Sequence, residues 1–301
     1  MLRAADRPRT GESRDMTAAP AVKTSLFVYP FRIETQKSHW SIHVSSISSI
    51  FSIEGKTALV TGGTRGIGMM IARGYVEAGA RVYVASRSED ACVEAEKELS
   101  KLGTCVAIPA DLSTEAGCLA LAEDIKGRES KLDILVNNAG ANWGAPFGEF
   151  PASGWDRVLD LNVKGVFFLT QALTPLLEAA AGDGSPSRVI NIGSIDGIQV
   201  PILDTYSYSA SKAAIHHMTR VLARKLAPNI TVNAVAPGPF QSKMMKATLE
   251  NFGDSIASTC PMKRIGEPDD MAGIAIYLAS KAGAYVTGSV IAVDGGISTT
   301  K

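Results

Sequence analysis

The sequence predicts an α/β protein built as one doubly wound domain, with a seven-stranded parallel sheet and helices on both faces. Two observations carry this prediction. From Gly55 onward, short runs rich in β-branched residues alternate with longer segments of helical periodicity. The short runs are apolar along their whole length, which is typical of parallel strands that helices cover on both sides.

The predicted elements alternate regularly along a domain that spans residues 50–301. Strands are predicted at residues 57–61, 81–85, 105–110, 132–137, 188–192, 230–236 and 289–293. Helices are predicted at residues 67–78, 92–102, 115–126, 155–177, 208–226 and 269–278. Pro175 lies late in the fourth helix. We expect it to kink or end that helix, because proline lacks the amide hydrogen that a helix interior uses.

Composition argues against several classes of function. The 301 residues contain 30 basic and 30 acidic side chains, so no excess of positive charge marks a nucleic-acid surface. No apolar run approaches the roughly 18 residues that a membrane span requires. The four cysteines lack the spacing of metal ligands or of a redox pair. We therefore expect buried thiols, no bound metal and a reducing compartment.

Residues 1–49 differ from the rest of the chain. They mix charged residues with serine-rich and isolated aromatic stretches that lack the periodicity of helices or strands. We expect an N-terminal extension with little fixed structure. It has no secretory signal pattern, and its acidic residues disfavour a transit peptide. The cytoplasm is therefore the predicted location, and an organelle is the alternative.

A glycine-rich turn between the first strand and the first helix predicts a nucleotide site. Glycines in such a turn let the backbone approach a pyrophosphate, which binds at the N-terminus of the following helix. The spacing is Gly-x-x-x-Gly-x-Gly, and its position predicts a Rossmann-type domain. The predicted cofactor contacts in the turn are Gly62, Thr64, Arg65, Gly66, Ile67 and Gly68.

The end of the second strand indicates which nucleotide binds. A site for NAD usually has an acidic residue there, whereas this chain has Ser86 and Arg87. A guanidinium at this position pairs with the 2′-phosphate of NADP, so NADP(H) is the predicted cofactor. Asp111, followed by Leu112, closes the third strand and is a candidate for binding the adenine amino group. As a strand-end residue it needs no such role.

Small residues follow the fourth strand at Asn138, Ala139 and Gly140. They leave room for a ligand at the carboxyl edge of the sheet, where doubly wound folds bind their ligands, and they are predicted cofactor contacts. Asparagine side chains at such a place can alternatively hydrogen bond to the backbone of loops.

Tyr208 and Lys212 lie four residues apart in a predicted helix and therefore share one face. An ammonium beside a phenol favours the phenolate. We therefore expect Lys212 to lower the pKa of Tyr208 from about 10 towards neutrality, where proton transfer is efficient. Ser194 stands at the end of the fifth strand. His216 and His217 are interpreted as residues of a helix face rather than as bases.

These motifs, in this order, resemble the short-chain dehydrogenase/reductase family. The resemblance covers about residues 50–300 and includes the glycine turn, Asn-Asn-Ala-Gly at 137–140, the Tyr208/Lys212 pair and Asp-Gly-Gly at 294–296. Within the family, the chain is similar to 3-oxoacyl-[acyl-carrier-protein] reductases, in particular to those of the rhamnolipid-biosynthesis type.

The resemblance implies a catalytic tetrad of Asn162, Ser194, Tyr208 and Lys212. Tyr208 would donate a proton to the substrate oxygen that Ser194 holds. Lys212 would bind the nicotinamide ribose, and Asn162 would anchor a water that connects Lys212 to solvent. Tyr208 and Lys212 are thus also predicted cofactor contacts. Hydride transfer to a carbonyl builds negative charge on oxygen, and donors positioned in this way stabilise it.

The resemblance also implies cofactor contacts at Pro237, Gly238 and Ser242, the last in place of the threonine that the family commonly has. A substrate lid is expected at about residues 239–265. Flexible methionines there would suit an acyl chain, although packing alone is the alternative interpretation. The apolar residues of this lid are Phe240, Met244, Met245 and Leu249.

The implied function is NADPH-dependent reduction of a carbonyl to a hydroxyl. The favoured substrate is a 3-oxoacyl thioester, either free or attached to a carrier protein, and the family implies a homodimer or homotetramer. One alternative is a reductase or dehydrogenase of another small ketone or secondary alcohol. A second, from a different class, is a non-catalytic NADP-binding sensor or scaffold, which would have no need of the tetrad.

Overall fold

Seven parallel strands form one sheet, as predicted, and their order in the sheet is β3-β2-β1-β4-β5-β6-β7. The computed structural model describes residues 44–182, 185–201, 203–242 and 245–300. The strands are β1 (Thr57–Thr61), β2 (Arg81–Ser86), β3 (Cys105–Pro109), β4 (Ile134–Asn137), β5 (Ser187–Ile192), β6 (Ile230–Pro237) and β7 (Val290–Val293).

Helices cover both faces of the sheet, because alternate strand residues point to opposite sides and both sides are apolar. Ala58 and Val60 of β1 pack in one buried cluster, whereas Leu59 packs in a second one. The helices are α1 (Ile47–Phe51), α2 (Gly66–Glu77), α3 (Glu89–Leu99), α4 (Glu115–Arg128), α5 (Ala152–Leu159), α6 (Val166–Ala180), α7 (Tyr206–Leu226), α8 (Lys246–Thr259) and α9 (Pro268–Ala279).

The helix predicted at residues 155–177 is interrupted. A π-helical segment, Asp160–Gly165, separates α5 from α6, and such wide turns are frequent at functional sites. Pro175 does not end α6, which continues to Ala180. The predicted end is wrong because buried leucines on both sides of the proline hold this helix against the sheet, and the kink stays a prediction. Those leucines are Leu173, Leu176 and Leu177.

Two further helices were not predicted. α8 lies within the segment expected to form the substrate lid, where Met244 and the side chain of Leu249 fall outside the described part of the structure. α1 crosses the boundary predicted at residue 49. Its Phe51 ring lies 6.4 Å from the ring of Tyr277. Residues 1–43 are not described, so the expected disorder of the extension stays a prediction.

The four cysteines are all buried free thiols, as expected. Among the described residues, no group of three or more His, Cys, Asp or Glu side chains is arranged to hold a metal ion. Within the same residues, no helix is both long enough and apolar enough to cross a membrane.

Candidate active site

The predicted site residues converge at the carboxyl edge of the sheet. β1 pairs with β2 on one side and with β4 on the other, so the strand order reverses direction at β1. Doubly wound sheets bind ligands in the crevice outside the strand ends at such a point. The glycine turn after β1 and the residues after β4 and β5 all belong to this edge.

The glycine turn has the geometry of a nucleotide cradle. Gly62 and Gly66 have positive φ angles of 63° and 54°, which strain any residue with a side chain. A Cβ on Gly62 would lie 2.8 Å from Nδ2 of Asn138. α2 begins here without a side-chain cap, whereas α3 and α4 are capped by Ser88 and Thr114. The uncapped amides of α2 therefore fit an anionic phosphate.

Asn138 joins the glycine turn to β4. Its Nδ2 donates to the carbonyl oxygens of Thr61 and Gly62 at 2.8 and 3.2 Å. The Thr61 hydroxyl accepts hydrogen bonds from the backbone amides of Asn138 and Ala139, each at 3.0 Å. The Asn138 side chain therefore does hydrogen bond to the loop backbone, which was the alternative role considered for it. The predicted cofactor contacts of Asn138, Ala139 and Gly140 stay predictions.

Arg87 and Arg65 are both exposed, and among the described residues neither makes a salt bridge. Both guanidinium groups are thus available to a 2′-phosphate, and Ser86 precedes Arg87 at the end of β2.

Although burial opposes the change, hydrogen bonds from Ser113 and the charge of Arg87 lower the pKa of Asp111. The Leu112 side chain is buried in the core, which leaves only its backbone for a cofactor contact.

Asn162 connects the loop after β4 to α7. Its Oδ1 accepts from the Ala141 amide at 2.8 Å, and its Nδ2 donates to the Ala141 carbonyl at 2.9 Å and to Oγ of Ser211 at 3.0 Å. Asn162 lies in the π-helical segment and is 1% exposed. Because both amide hydrogens are already donated, any water that this side chain holds must donate to Oδ1.

Ser194, Tyr208 and Lys212 meet at the end of β5. The Ser194 side chain interacts with the phenol oxygen of Tyr208. Lys212 is buried, and its Nζ donates to the Ile192 carbonyl at 2.7 Å. The same Nζ lies 5.4 Å from the centroid of the Tyr208 ring, as the four-residue spacing on α7 predicts.

The expectation that Lys212 lowers the pKa of Tyr208 is wrong in this structure. Burial raises the pKa of Tyr208 to about 12, the hydrogen bond with Ser194 opposes the rise, and the charge of Asp196 adds to it. Burial also lowers the pKa of Lys212 to about 8. Desolvation is therefore the largest influence on the pKa of both groups.

Pro237 ends β6, and Gly238 follows it with its amide donating to the Val293 carbonyl at 3.0 Å. A Cβ on Gly238 would lie 2.7 Å from Cβ of Asp294, so a close backbone approach requires this glycine. Ser242 faces the glycine turn, because a Cβ on Gly66 would lie 3.2 Å from its Cβ. Its contact with a nicotinamide stays a prediction.

Sequence reasoning missed two polar residues near the tetrad, Ser211 and Asp196, and treated a third, His216, as a residue of a helix face. Ser211 receives the hydrogen bond from Asn162 and donates to the Tyr208 carbonyl at 2.7 Å. Asp196 follows Ser194 by two residues and acts electrostatically on both Tyr208 and Lys212. His216 is buried one turn after Lys212, with no hydrogen-bond partner for Nε2 among the described residues. Its i+4 spacing from Lys212 gave its place on α7, whereas its burial follows from the fold.

A glycine-turn nucleotide site and a Ser-Tyr-Lys set at the same sheet edge define a Rossmann-type oxidoreductase. The family model described as Enoyl-(Acyl carrier protein) reductase matches residues 62–298. The chain is 49% identical over 249 residues to the rhamnolipids biosynthesis 3-oxoacyl-[acyl-carrier-protein] reductase of Pseudomonas aeruginosa, covering 82% of this chain and 97% of that one. It is 35% identical over 256 residues to the 5-keto-D-gluconate 5-reductase of Escherichia coli, with 83% and 98% covered.

Solved structures agree with these matches. The Pseudomonas aeruginosa RhlG/NADP active-site complex superposes with a TM-score of 0.80 at 49% identity, covering 83% of this chain and 99% of that chain. A short-chain type dehydrogenase/reductase from Mycobacterium marinum superposes with a TM-score of 0.78 at 33% identity, with 84% and 100% covered. The chain belongs to the short-chain dehydrogenase/reductase family.

Proposed function

We propose that this protein reduces the carbonyl group of a 3-oxoacyl thioester to a hydroxyl with NADPH. The observation that carries the proposal is the meeting of Ser194, Tyr208 and Lys212 at the sheet edge that also bears the glycine turn. The 49% identity to a 3-oxoacyl-[acyl-carrier-protein] reductase supports the substrate class.

NADPH, when bound, supplies the hydride. The uncapped amides of α2 and the glycines at 62 and 66 would hold its phosphates. Arg87 and Arg65 would hold the 2′-phosphate, and a guanidinium is suited to this because it presents several donors to one phosphate. Solved relatives support the same cofactor, since the RhlG structure is an NADP complex.

The residues of this chain handle the proton. Ser194 would hold the carbonyl oxygen, and Tyr208 would donate its proton to that oxygen as negative charge develops there. Burial favours the protonated form of Tyr208, which is the form that a proton donor needs. Asn162 would help to restore the proton by holding a water near Lys212, because a Cβ on Gly140 would touch both side chains.

A panel of carbonyl substrates tests the proposal. We would follow NADPH consumption with 3-oxoacyl thioesters of graded chain length, free and on acyl carrier protein, with 5-keto-D-gluconate, and with a 2-enoyl thioester. The proposal expects turnover of a 3-oxoacyl thioester at a kcat/KM at least ten times that of the sugar acid and of the enoyl substrate. Turnover of 5-keto-D-gluconate alone would move the assignment to small ketones.

NADPH binding measured in parallel distinguishes the sensor alternative. Tight binding of NADPH without turnover of any carbonyl substrate would support a non-catalytic protein. The tetrad argues against that outcome, because a sensor has no need to keep a Tyr, Lys, Ser and Asn together.

We also propose a homodimer or homotetramer in the cytoplasm. Apolar side chains on α6 and α7, Phe167 and Val221, are exposed by 39% and 53% in the single chain, which supports pairing of these helices. Four buried free thiols support a reducing compartment. Light scattering after size-exclusion chromatography tests the assembly, with a mass of one chain contradicting it. Imaging of the tagged full chain tests the location.

A further inference from the structure

Asp196 lies in the short turn that follows Ser194 and packs on α7, the helix that carries Tyr208 and Lys212. This 3₁₀ turn, Ile195–Gly197, is fixed at its start because the Asp196 amide donates to Oγ of Ser194 at 3.1 Å. At its end the turn packs closely against α7, since a Cβ on Gly197 would lie 2.7 Å from the Lys212 carbonyl carbon. The position of Asp196 relative to the pair is therefore set by backbone packing.

The Asp196 carboxylate is available to act through its charge. Among the described residues it makes no hydrogen bond and no salt bridge, although the residue is only partly exposed. Burial raises the pKa of Asp196 and the charge of Lys212 opposes that rise, so the two groups influence each other through their charges. A charge in such a partly buried place is screened less than one in water.

The other charged groups near the pair lie on α7 or point to solvent. His216 faces Lys212 from the next turn of α7. Burial lowers the pKa of His216, a hydrogen bond with the Gly197 backbone opposes this, and the charges of Lys212 and Arg220 add to the lowering. Asp196 is the acidic residue whose charge acts on both Tyr208 and Lys212 in the described part of the chain. The charged residues on α5 and the π-helical segment are exposed or ion-paired: Asp156, Arg157, Asp160 and Lys164.

We propose that Asp196 is a positioning residue whose charge keeps Tyr208 protonated and Lys212 charged, and so favours proton donation over proton abstraction. The inference rests on the proposed function and adds a direction to it, because a protonated phenol serves reduction of a carbonyl and a phenolate serves oxidation of an alcohol. Asp196 acts on the reacting atoms only through Tyr208 and Lys212 and does not itself transfer a proton.

The sign of the expected pH effect follows from these charges. Reduction requires the protonated phenol, so kcat/KM falls as pH rises through the pKa of the coupled Tyr208/Lys212 pair. Asp196→Asn removes a negative charge that favours the protonated form of both groups. The fall in the variant therefore begins at lower pH, by about one unit, the order of shift that one nearby charge produces.

The experiment compares pH profiles of kcat/KM for carbonyl reduction and for alcohol oxidation in Asp196→Asn and in the wild-type protein. Both profiles are expected to move to lower pH by about one unit, with oxidation at neutral pH rising by up to about tenfold. Asp204→Asn is the matched control, because it removes an equal charge from the exposed loop before α7. Asp196→Glu keeps the charge and is expected to keep the wild-type profile.

Identical profiles in Asp196→Asn and wild type would overturn the inference, as would an equal shift in Asp204→Asn. Any carbonyl that the wild type reduces serves the assay, so failure of the thioester assignment leaves the test intact. The ¹⁵N resonance of Lys212 Nζ, assigned with Lys212→Arg, gives a readout without turnover. Its titration is expected at lower pH in Asp196→Asn, and an unchanged titration there also contradicts the inference.

Discussion

Replacing Asn162 with alanine tests whether its amide holds the site together. The change removes three hydrogen bonds and leaves the amide and carbonyl of Ala141 without their partners in a buried place. Each unsatisfied buried group costs about 1–3 kcal/mol, so Asn162→Ala is expected to lower the free energy of unfolding by about 2–6 kcal/mol. For a domain of this size, that lowers Tm by at least about 4 °C.

Thermal denaturation followed by circular dichroism measures this loss. The matched control is Asn142→Ala in the same loop, because Oδ1 of Asn142 is buried without a hydrogen-bond partner among the described residues. The control removes an amide of equal size and is expected to change Tm far less. A Tm for Asn162→Ala within about 1 °C of the control would refute the assigned role of these hydrogen bonds.

Two further outcomes follow from the site. Arg87→Ala is expected to raise the Kd for NADPH by about 10- to 100-fold and to leave NADH binding nearly unchanged. Fluorescence titration measures both affinities, with Arg73→Ala as the surface control. Equal effects on both nucleotides would contradict the assignment of NADP as the cofactor. Gly193→Ala is expected to destabilise the protein by about 1–3 kcal/mol in chemical denaturation, because the new Cβ would lie 2.2 Å from Nε2 of His216. Combining it with His216→Ala should restore part of the loss, and no recovery would count against this contact.

The sheet was predictable because its strands are locally encoded. The β-branched runs matched all seven strands to within two residues at either end, since such runs have few alternatives to a covered parallel sheet. The interruption at Asp160–Gly165 was not predictable, because a π-helical turn depends on what packs against it. A Cβ on Gly165, for example, would lie 2.3 Å from the Leu112 carbonyl oxygen, a contact between distant parts of the chain.

Residue spacing predicted which residues meet in the site but gave the wrong direction for the pKa shift of Tyr208. Four-residue spacing correctly placed Lys212 beside Tyr208 on α7. It also implied a lowered pKa for Tyr208, because a helix considered alone contains the neighbouring charge and none of the burial. Asp196 escaped notice for the same reason: its effect depends on a turn that packs on α7 only in the folded protein.

The role of Tyr208 as the proton donor is the central claim, and Tyr208→Phe tests it most directly. Tyr206→Phe is the matched control, because its phenol hydrogen bonds to Asp204 on the surface. NADPH turnover with the best carbonyl substrate is expected to fall by about 10²- to 10⁴-fold in Tyr208→Phe, with NADPH affinity within about twofold of wild type and Tyr206→Phe fully active. Turnover by Tyr208→Phe at the wild-type rate would contradict the claim.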